Sequence, residues 1–123
     1  MKIKFLATAQ SPQYYSFDGE VITAHNEGVS KTYDLSGLEV GDKVVEVEEV
    51  GGVKPIRSAE RTESGDLEVK LVQAVGPGHW SESDWFESEA YDPDSIHVKM
   101  DKSKPYSGQA TVKTRQGIQK IGA

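Results

Sequence analysis

The chain has 123 residues, no cysteine, and 20 acidic against 14 basic side chains, for a formal charge of −6. That length fits one domain, and the missing thiols exclude disulfides, thiolate metal sites and a cysteine nucleophile. Residues 1–101 hold all 20 acids and 9 bases, a balance of −11, whereas 102–123 hold 5 bases and no acid; the acidic body repels phosphate backbones, so nucleic-acid recognition by it is not expected.

Hydrophobic residues make up 36% of the chain and the mean hydropathy is −0.55, which implies a thin core built from paired strands with one wet face. No run approaches the roughly 18 apolar residues of a membrane span. The apolar run after Met1-Lys2-Ile3-Lys4 is too short for a signal peptide. A protein made and kept in the cytosol, or exported without a signal, is the expectation.

Taken in order, Ile3, Phe5 and Ala7 alternate with Lys2 and Lys4 as in a half-buried strand. After Ser11-Pro12, a second strand over 14–17 and a third through Val21, Ile22 and Thr23 flank Asp18-Gly19, a dipeptide suited to a tight hairpin. His25-Asn26-Glu27-Gly28 reads as the next turn, followed by a strand in which Val29, Lys31, Tyr33 and Leu35 alternate with polar residues. Residues 36–42 are too short and glycine-rich for a helix and predict a turn into a strand over 44–50, stopped by Gly51-Gly52. Glu46, Glu48 and Glu49 would form its wet face or a charged edge that discourages aggregation.

The segments 56–61 and 67–73, joined by Thr62-Glu63-Ser64-Gly65-Asp66, predict a hairpin with a bulged loop, and Pro55 favours an edge or strand-start position for its first arm. Arg57 and Arg61 would pair across it with the strand that carries Glu68 and Lys70. Gly76-Pro77-Gly78 breaks the pattern. Ser81 and Ser83 are placed to cap a short helix over 85–90, and Ile96, Val98 and Met100 alternate as a last strand. The fold class is therefore all-β, mainly antiparallel hairpins in a small sandwich or barrel, with at most one short helix near 82–90. One β-rich domain over 1–101 and a basic, flexible tail over 102–123 are expected, since the tail holds few apolar residues to offset ordering entropy. Strand-like 110–113 is the exception within that tail.

Little in the sequence speaks for catalysis. His25, His79 and His97 share no metal-motif spacing, no Gly-x-Ser-x-Gly elbow is present, and the glycines at 76 and 78 are followed by acids instead of the Lys-Ser or Lys-Thr of a phosphate loop. No catalytic residue, cofactor or metal is expected. The informative stretch is 78–92, which carries both tryptophans. Its aromatic residues are hot-spot types on a loop held by a sheet, so His79, Trp80, Trp85, Phe86 and Tyr91 are the candidate partner-binding residues. Burial of the tryptophans at an open sheet end is the competing reading. A sugar site is the alternative, with rings against pyranose faces and Glu82, Asp84, Glu87 or Glu89 supplying acids for a binding module or a minor glycan hydrolase. Mimicry of nucleic acid by the acidic body ranks behind both.

The run from Pro55-Ile56-Arg57 to Arg61, Gly65-Asp66-Leu67 to Leu71, Gly78-His79-Trp80 to Asp84-Trp85, and Tyr91-Asp92-Pro93 resembles small uncharacterised proteins of tailed phages and prophages, of the kind encoded near tail genes. The resemblance covers about residues 1–100 and rests on turns and aromatics. It implies a non-enzymatic part in virion or tail structure or assembly, through contacts with a tail or assembly component or by self-association. It further implies a place in the host bacterial cytoplasm or the virion. It transfers no site residue.

Overall fold

The computed structural model describes residues 1–44, 46–101, 103–104 and 106–121. Period-two alternation yields β1 (Lys2–Thr8), β2 (Tyr14–Asp18), β3 (Val21–Asn26), β4 (Val29–Asp34), β5 (Lys43–Val44), β6 (Ile56–Arg61), β7 (Leu67–Ala74), β8 (Trp80–Ser81), β9 (Phe86–Glu87), β10 (Lys99–Met100), β11 (Ala110–Thr114) and β12 (Gly117–Ile121). The protein is all-β, and among the described residues none of its sheets closes into a barrel. The largest sheet has the order β5-β6-β7-β1-β9, a second is β2-β3-β4, and β8 with β10 and β11 with β12 form pairs.

Alternation decides what each sheet buries. Ile3 and Phe5 of β1, Ala59 of β6, and Leu67, Val69 and Leu71 of β7 meet Tyr15, Ile22, Ala24 and Tyr33 of the three-stranded sheet in one buried cluster. A fully buried side chain of this size contributes about 1.5–3 kcal/mol relative to exposure, so the two inward faces supply most of the cohesion. Within the large sheet β1 and β7 run parallel, from Lys2 opposite Glu68 to Thr8 opposite Ala74. Parallel neighbours require a long crossover, and here β2 to β6 all lie between them in the chain. Alternation marks both strands but does not reveal which strand pairs with which.

The expected hairpins form. Gly19 turns β2 into β3 with φ 59°, and Glu27 (φ 52°) and Gly28 (φ 84°) turn β3 into β4; two successive left-handed residues match the twist of the flanking strands. The β6/β7 hairpin carries a bulge between Ile56 and Ser58. Its Arg61 does not pair across to Glu68. It stands opposite Leu67, and its guanidinium reaches the Glu20 carboxylate in the β2–β3 turn (Nη2 to Oε1 2.9 Å) and the Leu38 carbonyl (2.9 Å). That hydrogen bond holds Glu20 below the usual carboxylate range. Arg57 is exposed.

Three expected elements are shorter than the sequence pattern suggests. Of the strand over 44–50, only Val44 joins the large sheet, opposite Ala59, while Val50 bridges to Val53 across the Gly51-Gly52 turn. Residue 45 lies outside the described residues, and 46–49 form no ladder. Glu46 and Glu48 stay at the surface, paired with Lys54 and Lys31, and Tyr33 donates its hydroxyl to the Glu48 carbonyl (2.5 Å). The strand over 96–100 shrinks to Lys99–Met100. In place of a capped helix there is a single 3-10 turn over Ser88–Ala90, preceded by Glu87 without a side-chain cap. Ser83 is buried against β1 instead: its hydroxyl accepts from the Phe5 amide (2.9 Å) and its amide donates to the Phe5 carbonyl (2.8 Å).

The basic segment needs a larger correction. Residues 102, 105, 122 and 123 lie outside the described residues, but the expected tail folds over 110–121 as the β11–β12 hairpin, from Ala110 opposite Ile121 to Thr114 opposite Gly117. Val112 is 0% exposed and bridges to Val75, while the Gly76 amide donates to the Thr111 carbonyl (2.7 Å). Few apolar residues suffice because alternation sends Ala110, Val112 and Thr114 to one side. The buried Gln73 amide group donates to the Ser95 and Lys113 carbonyls (3.3 Å each) and accepts from the His97 and Val98 amides (2.9 and 3.2 Å). Sequence position alone does not distinguish this glutamine from a strand-end polar residue.

A seated hairpin makes Val112 part of the core. Val112→Ala should lower unfolding stability by about 2 kcal/mol in urea denaturation, whereas an unchanged midpoint would mean that residues 110–121 are not packed.

Candidate functional site

The stretch 78–92 is an arm drawn along the free edge of β1. Phe86 stands opposite Ile3 and Glu87 opposite Lys2, and the Ser88 amide donates to the Met1 carbonyl (2.9 Å). Its entry is tight, because a Cβ on Gly78 would stand 2.8 Å from the Met100 methyl and 3.0 Å from the Trp80 ring nitrogen. Once the arm is fixed, alternation aims its side chains: Phe86 turns toward the core and Trp85 away from it.

The structure separates the five candidate residues. Trp80 is half-buried against the core, and its ring N–H donates to the Gly76 carbonyl (2.7 Å). Phe86 and Tyr91 join a cluster of rings around Phe5, with centroid distances of 6.0 and 5.6 Å. The Tyr91 hydroxyl also accepts from the Tyr15 amide (3.1 Å), and burial raises its pKa. His79 is exposed, its carbonyl accepting from the Asp101 amide (2.7 Å). Trp85 alone among the four aromatic rings keeps a large open face, 38% exposed.

Trp85 borders a shallow groove of about 220 Å³ on the outward face of the large sheet, with Lys43, Val44, Ser58, Glu60, Glu68 and Lys70 among its lining residues. Lys4 lies 5.2 Å from the Trp85 ring centroid, a cation–π distance. Register places Lys4 beside Lys70 and Lys2 beside Glu68, so the indole rises from a surface of mixed charge.

Two acids of the arm are held by lysines. Glu82 pairs with Lys4 (2.9 Å) and Asp84 with Lys99 (2.6 Å). The Lys99 hydrogen bond holds Asp84 below the usual range, which keeps it a base-weak anion and unsuited to donate a proton near neutrality. The histidines are scattered. His25 stacks on Tyr14 (4.3 Å) with the Ser16 hydroxyl at 2.8 Å, and among the described residues no three His, Asp or Glu side chains are grouped to hold a metal ion.

His97 stacks on Phe5, Phe86 and Tyr91 at 5.1, 5.2 and 5.0 Å. Its Nε2 lies 2.9 Å from the Asp92 carbonyl. No local signal distinguishes this histidine, because its neighbours in the cluster come from β1 and from the arm.

Burial lowers the His97 pKa, whereas an imidazole in an unfolded chain titrates near 6.5. Below about pH 6.5 the unfolded chain therefore takes up a proton that the folded one resists, so this group's stabilisation is present above that pH and is lost as pH falls toward the folded value. His25 shifts in the same direction by burial. In urea denaturation at pH 7.5 and 5.5, His97→Phe should lose less stability on acidification than the wild type, with the His25 contribution common to both. Equal losses would contradict the buried placement of His97.

No protein-family model, curated protein or solved structure matches the chain.

Proposed function

We propose that this chain is a non-enzymatic binding protein that acts through a protein contact centred on Trp85. The observation that carries this reading is the exposure of Trp85 beside a groove while Trp80, Phe86 and Tyr91 pack inward. An indole held on a rigid sheet is an economical anchor, since little side-chain freedom remains to be lost on binding and tryptophan dominates many contact energies. Lys43, Lys70, Glu60 and Glu68 around it would select a partner surface of complementary charge and set its register. Glycan hydrolysis needs one acid kept protonated to donate to the leaving group, and the Lys99 hydrogen bond keeps Asp84 ionised instead, which favours binding.

The resemblance to tailed-phage and prophage proteins gives the proposal its setting: a part in virion or tail structure or assembly, with a tail component, an assembly factor or a second copy as the partner. No helix of the described residues is long and apolar enough to cross a membrane.

The two tryptophans should respond differently. Trp85→Ala should leave the melting temperature within a few degrees of wild type and weaken partner binding by about 30-fold or more, the scale of a hot-spot residue. Trp80→Ala should lower stability, because it removes packing and leaves the Gly76 carbonyl without its donor. Binding can be measured by calorimetry with the tail or assembly protein recovered alongside the chain. Wild-type affinity in Trp85→Ala would overturn the assignment of the anchor.

A further inference from the structure

A second cleft, of about 640 Å³, lies where the β11–β12 hairpin docks against the turns that follow β1 and β3. Its lining shares no residue with the Trp85 groove, so the two sites stand or fall separately. The ammonium of Lys113 is half-buried there. It donates to the Ser11 carbonyl (3.2 Å) and to the Asn26 side-chain oxygen (3.3 Å), and among the described residues no carboxylate pairs with it. Its partners in the cleft are neutral oxygens, which leaves the charge of Lys113 available to an anion. An ammonium carries three donors, and two are used.

The walls suit a small ligand. Gly51, Gly52, Gly76 and Gly117 expose backbone along the cleft, and Val53, Val75 and Ile118 border it. Gly76 has no room to be anything else, because a Cβ there would stand 2.1 Å from the Thr111 hydroxyl. The amides of Gly51 and Gly52 donate to no acceptor among the described residues. Ile118 is 70% exposed at the rim, an apolar contact left open. Glu27 is the one acid among the lining residues, and it sits on the exposed β3–β4 turn.

The geometry points to a binding site for a carboxylate on a short apolar stem, with Lys113 taking the carboxylate and Val53, Val75 and Ile118 the stem. A polypeptide C-terminus and a small organic acid share this chemistry. Lys113 is the binding residue, Asn26 and Ser11 position its ammonium, and Glu27 opposes the ligand's charge from the rim.

The test uses the full chain labelled with ¹⁵N and follows the amide signals of Gly76, Thr111 and Gly117 during titration with N-acetyl-Leu-Val bearing a free carboxylate, with its C-terminal amide, and with acetate. The acid peptide should shift these signals, the amide should shift them at least about tenfold less effectively, and a response to acetate as well would assign small acids to the site in addition to peptide ends. Lys113→Met should weaken acid binding by at least about tenfold, Lys113→Arg should retain part of it, and Glu27→Gln should strengthen it. Equal shifts with acid and amide, no shift with any probe, or wild-type binding by Lys113→Met would overturn the proposal. If Lys113→Met does not fold, the wild-type comparison of acid with amide and the Glu27→Gln titration decide.

Discussion

Both edges of β1 are occupied, and the rest of the structure is arranged around that. β7 lies along one edge in parallel register, and the arm over 83–88 lies along the other, held at one end by the Ser83 hydroxyl and amide on the Phe5 main chain and at the other by the Ser88 amide on the Met1 carbonyl. Phe5 stands where these constraints meet. Its backbone groups are held by Ser83, and its ring packs against Tyr15, Phe86, Tyr91 and His97. Aromatic contacts of this kind contribute about 0.5–1.5 kcal/mol each beyond area burial. The cluster therefore joins the large sheet, the three-stranded sheet and the arm into one core.

That anchoring determines what is left for function. A strand-like arm has two sides, and with Phe86 committed to the ring cluster, Trp85 faces out across Lys4. Its exposure follows from the pairing of its neighbours, and the same pairing that closes the core presents the indole on a rigid support. The Lys113 cleft arises from a different junction, where the β11–β12 hairpin meets the turns that follow β1 and β3. Lys113 is drawn into the cleft because Ala110, Val112 and Thr114 must face inward.

Local periodicity made the β2–β3, β3–β4 and β6–β7 hairpins legible, since turn residues and alternation lie within the same short windows. It also exposed the informative arm. What periodicity could not supply was long-range pairing. The parallel union of β1 with β7, the use of Ser83 as an edge partner for Phe5 in place of a helix cap, and the clamp from Arg61 to Glu20 all join residues far apart in sequence. Composition conceals the basic hairpin for a related reason: it measures how much apolar surface a segment has, whereas docking depends on whether that surface is gathered on one side. Within the candidate site, the residue types of 78–92 were visible, but the separation of Trp85 from Trp80, Phe86 and Tyr91 required knowing which side of the arm meets Phe5.

Amide hydrogen exchange at Phe5 and Ser83, followed by NMR beside Val69 and Leu71 of β7, tests most directly whether the arm and β1 form one unit. If they do, the Phe5 and Ser83 amides exchange only through global opening and are as slow as the most protected amides of β7. Exchange at Phe5 and Ser83 orders of magnitude faster than in β7 would show that the arm opens on its own, and neither the ring cluster nor the outward setting of Trp85 could then rest on it.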